Sequence, residues 1–246
     1  MFVNLCFLAT NPFFSAYVQS DWLGKMIFLA LFILSIVSWV LLIYKVILLT
    51  RVKKEARVFY STLQKQKGSV LSFEREGSGP FATLFFFLKK QTIELLSKNF
   101  RFRNPESELQ EEKIASLSPA DINFIESQVL SRIAFETQRL DKHMFILSTV
   151  VSLAPFLGLL GTVWGILGTF SELQMNASGG VQQMALGGLS LALATTVLGL
   201  IDAIPALIGY NYLKADIQAF DMEMRTFSTE VLASIELQYR HVDTRV

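Results

Sequence analysis

Two long apolar runs close together constrain this chain more than any other feature of its sequence. Residues 144–170 read MFILSTVVSLAPFLGLLGTVWGILGTF, 27 residues without a charge. As a helix rising 1.5 Å per residue this run is roughly 40 Å long, enough to cross a hydrocarbon core of ~30 Å. Residues 184–213 form a second run of similar length with one charge, Asp202. The pair reads as a membrane hairpin.

Neither run is plain Leu/Val filler. In the first, Gly158, Gly161, Gly165 and Gly168 recur at spacings of 3, 4 and 3, a stripe on which a neighbouring backbone can approach closely. A second stripe holds Ser148, Ser152, Pro155, Thr162 and Thr169, and the missing N–H of Pro155 leaves the Val151 carbonyl without its helical partner. The second run repeats the scheme, with Ala192, Thr196, Gly199, Ala203 and Ala206 on one stripe and Leu191, Thr195, Leu198 and Asp202 on another. Pro205 frees the Ile201 carbonyl beside the acid. Hydroxyls, free carbonyls and a carboxylate inside lipid-spanning helices point to a narrow ion or proton path, with Ser152, Pro155, Thr162, Thr195, Thr196 and Asp202 as its candidate residues. Taken singly, each hydroxyl fits a structural role equally well, because Ser and Thr bond back to their own helix and Gly/Ala stripes are ordinary helix contacts.

The combination is more specific than its parts. S-x-A-P-F-x-G-L-x-G-T-V-W-G from Ser152 to Gly165, followed by A-L-A-T-T-V-L-G-L-x-x-A-I-P-A-x-x-x-Y-N from Ala192 to Asn211, closely resembles the MotA/TolQ/ExbB family of proton-channel subunits. With Ser38-Trp39 in an earlier apolar segment and three spans rather than four, it looks most like the TolQ/ExbB branch. The resemblance is strong over residues 152–211 and weak over 51–140. It implies an inner-membrane homopentamer around a TolR/ExbD-like single-span partner whose membrane aspartate carries the proton, with a TolA/TonB-like protein beyond it. The family's pore-lining threonines fall on Thr162 and Thr196. One departure stands out: the family's glutamate five residues before the second threonine is Leu191 here, and Asp202 stands where the family has a small residue. These positions are 11 residues apart, on one helical face about 16 Å along the axis, so whether Asp202 substitutes for that glutamate is open.

Composition agrees with the class: 52% of the 246 residues are hydrophobic and 17% charged, with mean hydropathy +0.43, too apolar for an ordinary soluble domain. A net charge of +1 and the lack of a basic-aromatic motif argue against nucleic acid as a partner; membrane lipids are the expected surroundings. Cys6 is the single cysteine, so no intrachain disulfide or cysteine metal site is expected, and without a basic n-region a lipoprotein or cleaved signal is not.

In chain order, residues 1–23 fit a periplasmic segment and 24–50 a first span, with Trp22 near one interface and Tyr44 and Lys45 near the other. Arg51, Lys53, Lys54 and Arg57 follow it, and Arg132, Arg139, Lys142 and His143 precede the second span. The positive-inside rule then places 51–143 in the cytoplasm, with the N-terminus periplasmic and the C-terminus cytoplasmic. That middle region holds 16 Lys+Arg and 12 Asp+Glu at roughly helical spacing with apolar residues, and reads as helices below the membrane. Residues 81–88 are an apolar run too short to span, hence a core or interfacial helix. Ser118-Pro119-Ala120-Asp121 is a helix start with N-cap, Pro at N1 and acid at N3. No stop follows before Phe170, so a single helix over 119–170, bent at Pro155 and about 78 Å long, is expected. Residues 171–183 form a periplasmic loop, 184–213 the third span, and 214–246 a cytoplasmic helix whose Ile217, Phe220, Met224, Phe227 and Val231 recur at 3, 4, 3 and 4 as a seam for the chain's own middle region.

The expected fold is therefore all-α: three transmembrane helices with long helices extending into the cytoplasm. No phosphate loop, G-x-S-x-G or H-E-x-x-H is present, and His143 and His241 sit at an interface and a terminus, so neither an enzyme nor a cofactor is expected. The leading function is a proton-channel (stator) subunit coupling the proton motive force to outer-membrane integrity or uptake. A passive membrane scaffold without ion flux is the alternative, to which Leu191 lends weight. A small-solute transporter ranks third, since no inverted repeat shows.

Overall fold

The computed structural model describes residues 17, 21–65, 70–73, 77–103, 116–175 and 181–239; the side chains of 70, 172–173, 175, 181–187 and 191 are outside the description. Cys6, His241, most of the expected periplasmic segment 1–23, part of the loop 171–183 and the end of the C-terminal helix lie outside the described residues. The chain is all-α, without a strand among the described residues: α1 Trp22–Gln64, a 3-10 turn Val70–Ser72, α2 Pro80–Arg103, α3 Pro119–Asp141, α4 Met144–Met175 and α5 Val181–Tyr239. Among the described residues, three helices are long and apolar enough to cross a membrane, Trp22–Gln64, Met144–Ser171 and Gly188–Tyr239.

The continuous helix expected over 119–170 is broken. α3 ends at Asp141 and α4 begins at Met144, because His143 takes φ 71°, a left-handed conformation that ends the i→i−4 ladder. Pro155 and Pro205, by contrast, lie inside α4 and α5. The start of α3 is as its sequence implies: Ser118 is the N-cap of a capping box with Asp121, and Pro119 occupies N1. The Asp121 carboxylate also accepts from Asn99 at 2.8 Å, tying α2 to α3.

The chain divides into two compact units, Met1–Val46 with His143–Lys214 and Ile47–Lys142 with Ala215–Val246. In the first, the interior holds small residues, Ala154, Ala192, Ala203 and Ala206, with Ile27 and Leu31. Large apolar side chains point out, among them Phe32, Ile36, Phe156, Leu193 and Ile208. This inverts the soluble pattern and is what lipid allows, since helices in lipid associate through close packing of small residues.

The second unit is built the other way. Phe59, Phe73, Phe81, Phe85, Phe220 and Phe227 are buried, with Phe81 stacked on Phe227 at 4.5 Å between centroids. Residues 81–88 are core: Leu84 and Leu88 are fully buried. The α5 seam Ile217, Phe220, Met224, Phe227 and Val231 is buried throughout and meets the middle region at Phe59, Tyr60 and Phe81. Ion pairs and hydrogen bonds surround this core, Lys53 with Asp216, Arg132 with Glu136 at 3.1 Å and Tyr60 with Glu230 at 2.9 Å.

Candidate functional site

Within the first unit, α4 and α5 meet across glycines. A Cβ added at Gly158 would lie 3.0 Å from both the Thr195 carbonyl oxygen and the Thr196 Cα; at Gly165, 2.9 Å from the Gly188 carbonyl oxygen and 3.0 Å from the Ala192 Cβ; at Gly199, 2.6 Å from the Ala154 carbonyl oxygen. Gly161 faces Thr195, whose Cβ would be 2.7 Å away. Only hydrogen fits at these distances, so the two backbones touch. Gly168 is different, with its nearest neighbour the Asp21 carboxylate at 3.7 Å, ordinary contact distance.

The hydroxyls line this contact unequally. Thr195 is fully buried and donates to Ala192 O at 2.8 Å, with Gly158 O at 3.4 Å. Thr196 reaches across to Gly158 O at 3.0 Å. Thr162 donates to Leu159 O at 2.6 Å, and Ser152 to Ser148 O at 3.2 Å, both within α4. Ser152 is exposed, and Ser148, Pro155, Thr162 and Thr169 are half-buried. The hydroxyl stripe of α4 is therefore more open than its glycine stripe.

On α5 the two expected stripes merge into one buried face. Ala192, Thr195, Gly199, Asp202, Ala203 and Ala206 are all buried, because steps of 3 and 4 keep them within a broad arc facing α4 and α1. Thr196 lies at the edge of that arc, half-buried. Asp202 consequently does not share a face with Thr196: six residues apart, they project about 120° from one another.

Asp202 is 5% exposed, so it is enclosed in the subunit rather than open to a wet cavity. The Ser35 hydroxyl of α1 faces it, yet neither carboxylate oxygen completes a hydrogen bond among the described residues. Leu42 of α1 packs on Gly209 of α5, seven residues beyond each member of the Ser35/Asp202 pair, so α1 and α5 run parallel in register here. Ser35 lies ten residues from Lys25 and ten from Lys45, which puts Asp202 level with the middle of the α1 apolar run. Sequence reasoning missed Ser35, which with Ser38 is one of two serines in the middle of the α1 apolar run.

Comparison with known proteins agrees with the site's sequence motifs. A family model described as the MotA/TolQ/ExbB proton channel family matches residues 102–226, which include α4 and the apolar part of α5. The chain is 27% identical to the Tol-Pal system protein TolQ of Haemophilus influenzae, over 92% of this chain and 94% of that protein. It is 29% identical to the biopolymer transport protein ExbB of Pseudomonas putida over 92% of its own length, spanning 64% of that protein. To the ExbB of Neisseria meningitidis serogroup A it is 30% identical, over 76% of this chain and 80% of the other. On this evidence the chain belongs to the MotA/TolQ/ExbB proton channel family, in its TolQ/ExbB branch.

Proposed function

We propose that this chain is the channel-forming stator subunit of an inner-membrane complex that couples the proton motive force to work on the outer membrane, through a TolR/ExbD-like single-span partner. The N-terminus is periplasmic and the C-terminus cytoplasmic, a reading that the basic residues at both ends of 51–143 support. Five copies would surround the partner, and a TolA/TonB-like protein would receive the movement.

The observation that carries this reading is the form of the α4–α5 pair. Its backbones touch through Gly158, Gly165 and Gly199, giving a rigid wall, while the Thr162 and Thr196 hydroxyls sit at the half-buried edge, where they can face a central path. Ser152 and Pro155 continue that edge along α4. Thr195 fastens the wall from inside. A hydroxyl can hand a proton or water to the next group without carrying charge itself, which suits the lining of a path through lipid.

The alternative is a passive scaffold, favoured by the fact that Thr162 and Thr196 already donate to the Leu159 and Gly158 carbonyls. Proton flux separates the two. Vesicles holding the chain with its single-span partner should acidify under an imposed potential, and Thr162→Val should suppress this with the complex intact. Absence of flux from the intact wild-type complex would leave the scaffold.

A further inference from the structure

Asp202 is a chemical anomaly that the pore does not use. It is buried between α1 and α5 with both oxygens unpartnered among the described residues. Beside it lies an apolar cluster of Ile27, Leu31, Ala154 and Ala203, with Leu23, Leu157 and Leu198 packed against it. A carboxylate in such surroundings loses its hydration without gaining a donor, which costs several kcal/mol unless a cation or a proton neutralises it.

Among the described residues, the neighbouring elements set no fixed cation against Asp202. α4 has no titratable side chain over 144–170. On α1 the group facing Asp202 is Ser35; the nearest charges on that helix are Lys25 and Lys45, each ten residues from Ser35 and so about 15 Å along the axis. On α5 the next charge is Lys214, twelve residues on, about 18 Å away. A metal ion would need several oxygen ligands, and no group of three or more His, Cys, Asp or Glu side chains that could hold one is found among the described residues.

We infer that Asp202 is a proton-binding site belonging to the subunit itself, enclosed at mid-span between α1 and α5 and separate from the threonine-edged path. The carboxyl holds its proton while the Ser35/Asp202 and Leu42/Gly209 contacts are closed. Separation of α1 from α5 would admit water and let the proton leave. Each subunit would thereby carry a titrating contact between two of its own helices, a device that needs neither partner nor flux to exist. The inference goes beyond the channel reading and does not depend on it.

The test is pH-difference infrared spectroscopy on the full chain in lipid nanodiscs, without partner. Wild type should show, at neutral pH, a protonated-carboxyl C=O band that is lost entirely in Asp202→Asn and shifted in Ser35→Ala, while Thr162→Val leaves it unmoved. Equal carboxyl spectra in wild type and Asp202→Asn would overturn the site. Bleaching of the band by sodium at constant pH would also overturn it, assigning the carboxylate to a cation instead. Should Asp202→Asn fail to fold, Ser35→Ala still decides, because an unshifted band there removes Asp202 as its source. Proton flux in the complex is a separate readout, so either reading can fail alone.

Discussion

Gly199 and Ala154 meet backbone to backbone: a Cβ added to the glycine would stand 2.6 Å from the alanine carbonyl oxygen and 3.3 Å from the Gly158 Cα. Backbone cannot yield as a side-chain tip can. Gly199→Val should therefore prise α4 from α5 and cost at least about 1–3 kcal/mol, read as a drop in thermal unfolding in detergent. Among the described residues, Gly168→Ala meets only the Asp21 carboxylate at 3.7 Å and should be neutral or gain up to about 1 kcal/mol from helix propensity. Gly161→Leu, against Thr195, should also abolish the oligomer in native mass measurements. Equal effects at 199 and 168 would show that close approach is not what these glycines serve.

His143 sets the break between α3 and α4 with φ 71°. Left-handed backbone costs an L-residue about 1–2 kcal/mol, and a β-branched one more. His143→Gly should be neutral or stabilising by up to about 1 kcal/mol, and His143→Val destabilising by about 1–2 kcal/mol. Both are checked by thermal unfolding, and the reverse order would mean the break is not held by that dihedral.

The break marks where sequence reading stopped. The capping box at Ser118 announces the start of α3 because side-chain chemistry makes it, and the α5 seam is visible because burial imposes a 3–4 period. His143 carries no comparable signal: it is neither Gly nor Pro, and helical pattern continues on both sides. The same holds for Asp202. Its spacing from Thr195 is written in the sequence, but the register that sets Ser35 against it and Leu42 against Gly209 is a tertiary fact. Counting along α5 alone cannot set Asp202 in depth against α1.

Thr162 and Thr196 are the proposed pore edge. Thr162→Val keeps shape and removes the hydroxyl; since that hydroxyl bonds only within its own helix at 2.6 Å, folding should change by no more than about 1 kcal/mol. Flux through vesicles holding the complex should fall by about tenfold or more, equivalent to ~1.4 kcal/mol on the barrier. Full flux from the intact variant would make the hydroxyl structural.

Asp221, on α5 beyond the apolar run, makes the second unit pH-sensitive. Burial pushes its carboxyl up, but the Arg225 hydrogen bond at 2.7 Å, the Thr137 hydroxyl at 2.6 Å and the Arg225 charge outweigh this and hold it below the usual carboxylate range. A depressed folded value means the contribution is complete above the unfolded value of about 3.9 and is lost as pH falls through the lower folded one. Asp221→Asn should cost about 1 kcal/mol at neutral pH, and the gap from wild type should close below about pH 4. A gap that stays constant into acid would show that the ionised carboxylate is not what stabilises the contact.

Asp202→Asn distinguishes a proton held in the α1–α5 contact from an ionised acid held by unseen partners. Asparagine nearly matches the protonated carboxyl in volume and is neutral, so it fits the closed contact beside Ser35 without creating a cavity or a buried charge. If Asp202 is neutral there, the variant's thermal stability should lie within about 1 kcal/mol of wild type. If instead the carboxylate were ionised and paired, removing its charge would strand the partner and cost about 3–5 kcal/mol. Because the site lies apart from the threonine-edged path, flux in vesicles holding the chain and its single-span partner should stay close to that of wild type. A loss of about tenfold or more, ~1.4 kcal/mol on the barrier, would place Asp202 in the path itself, and a grossly unstable variant would remove the neutral acid from the folded state altogether.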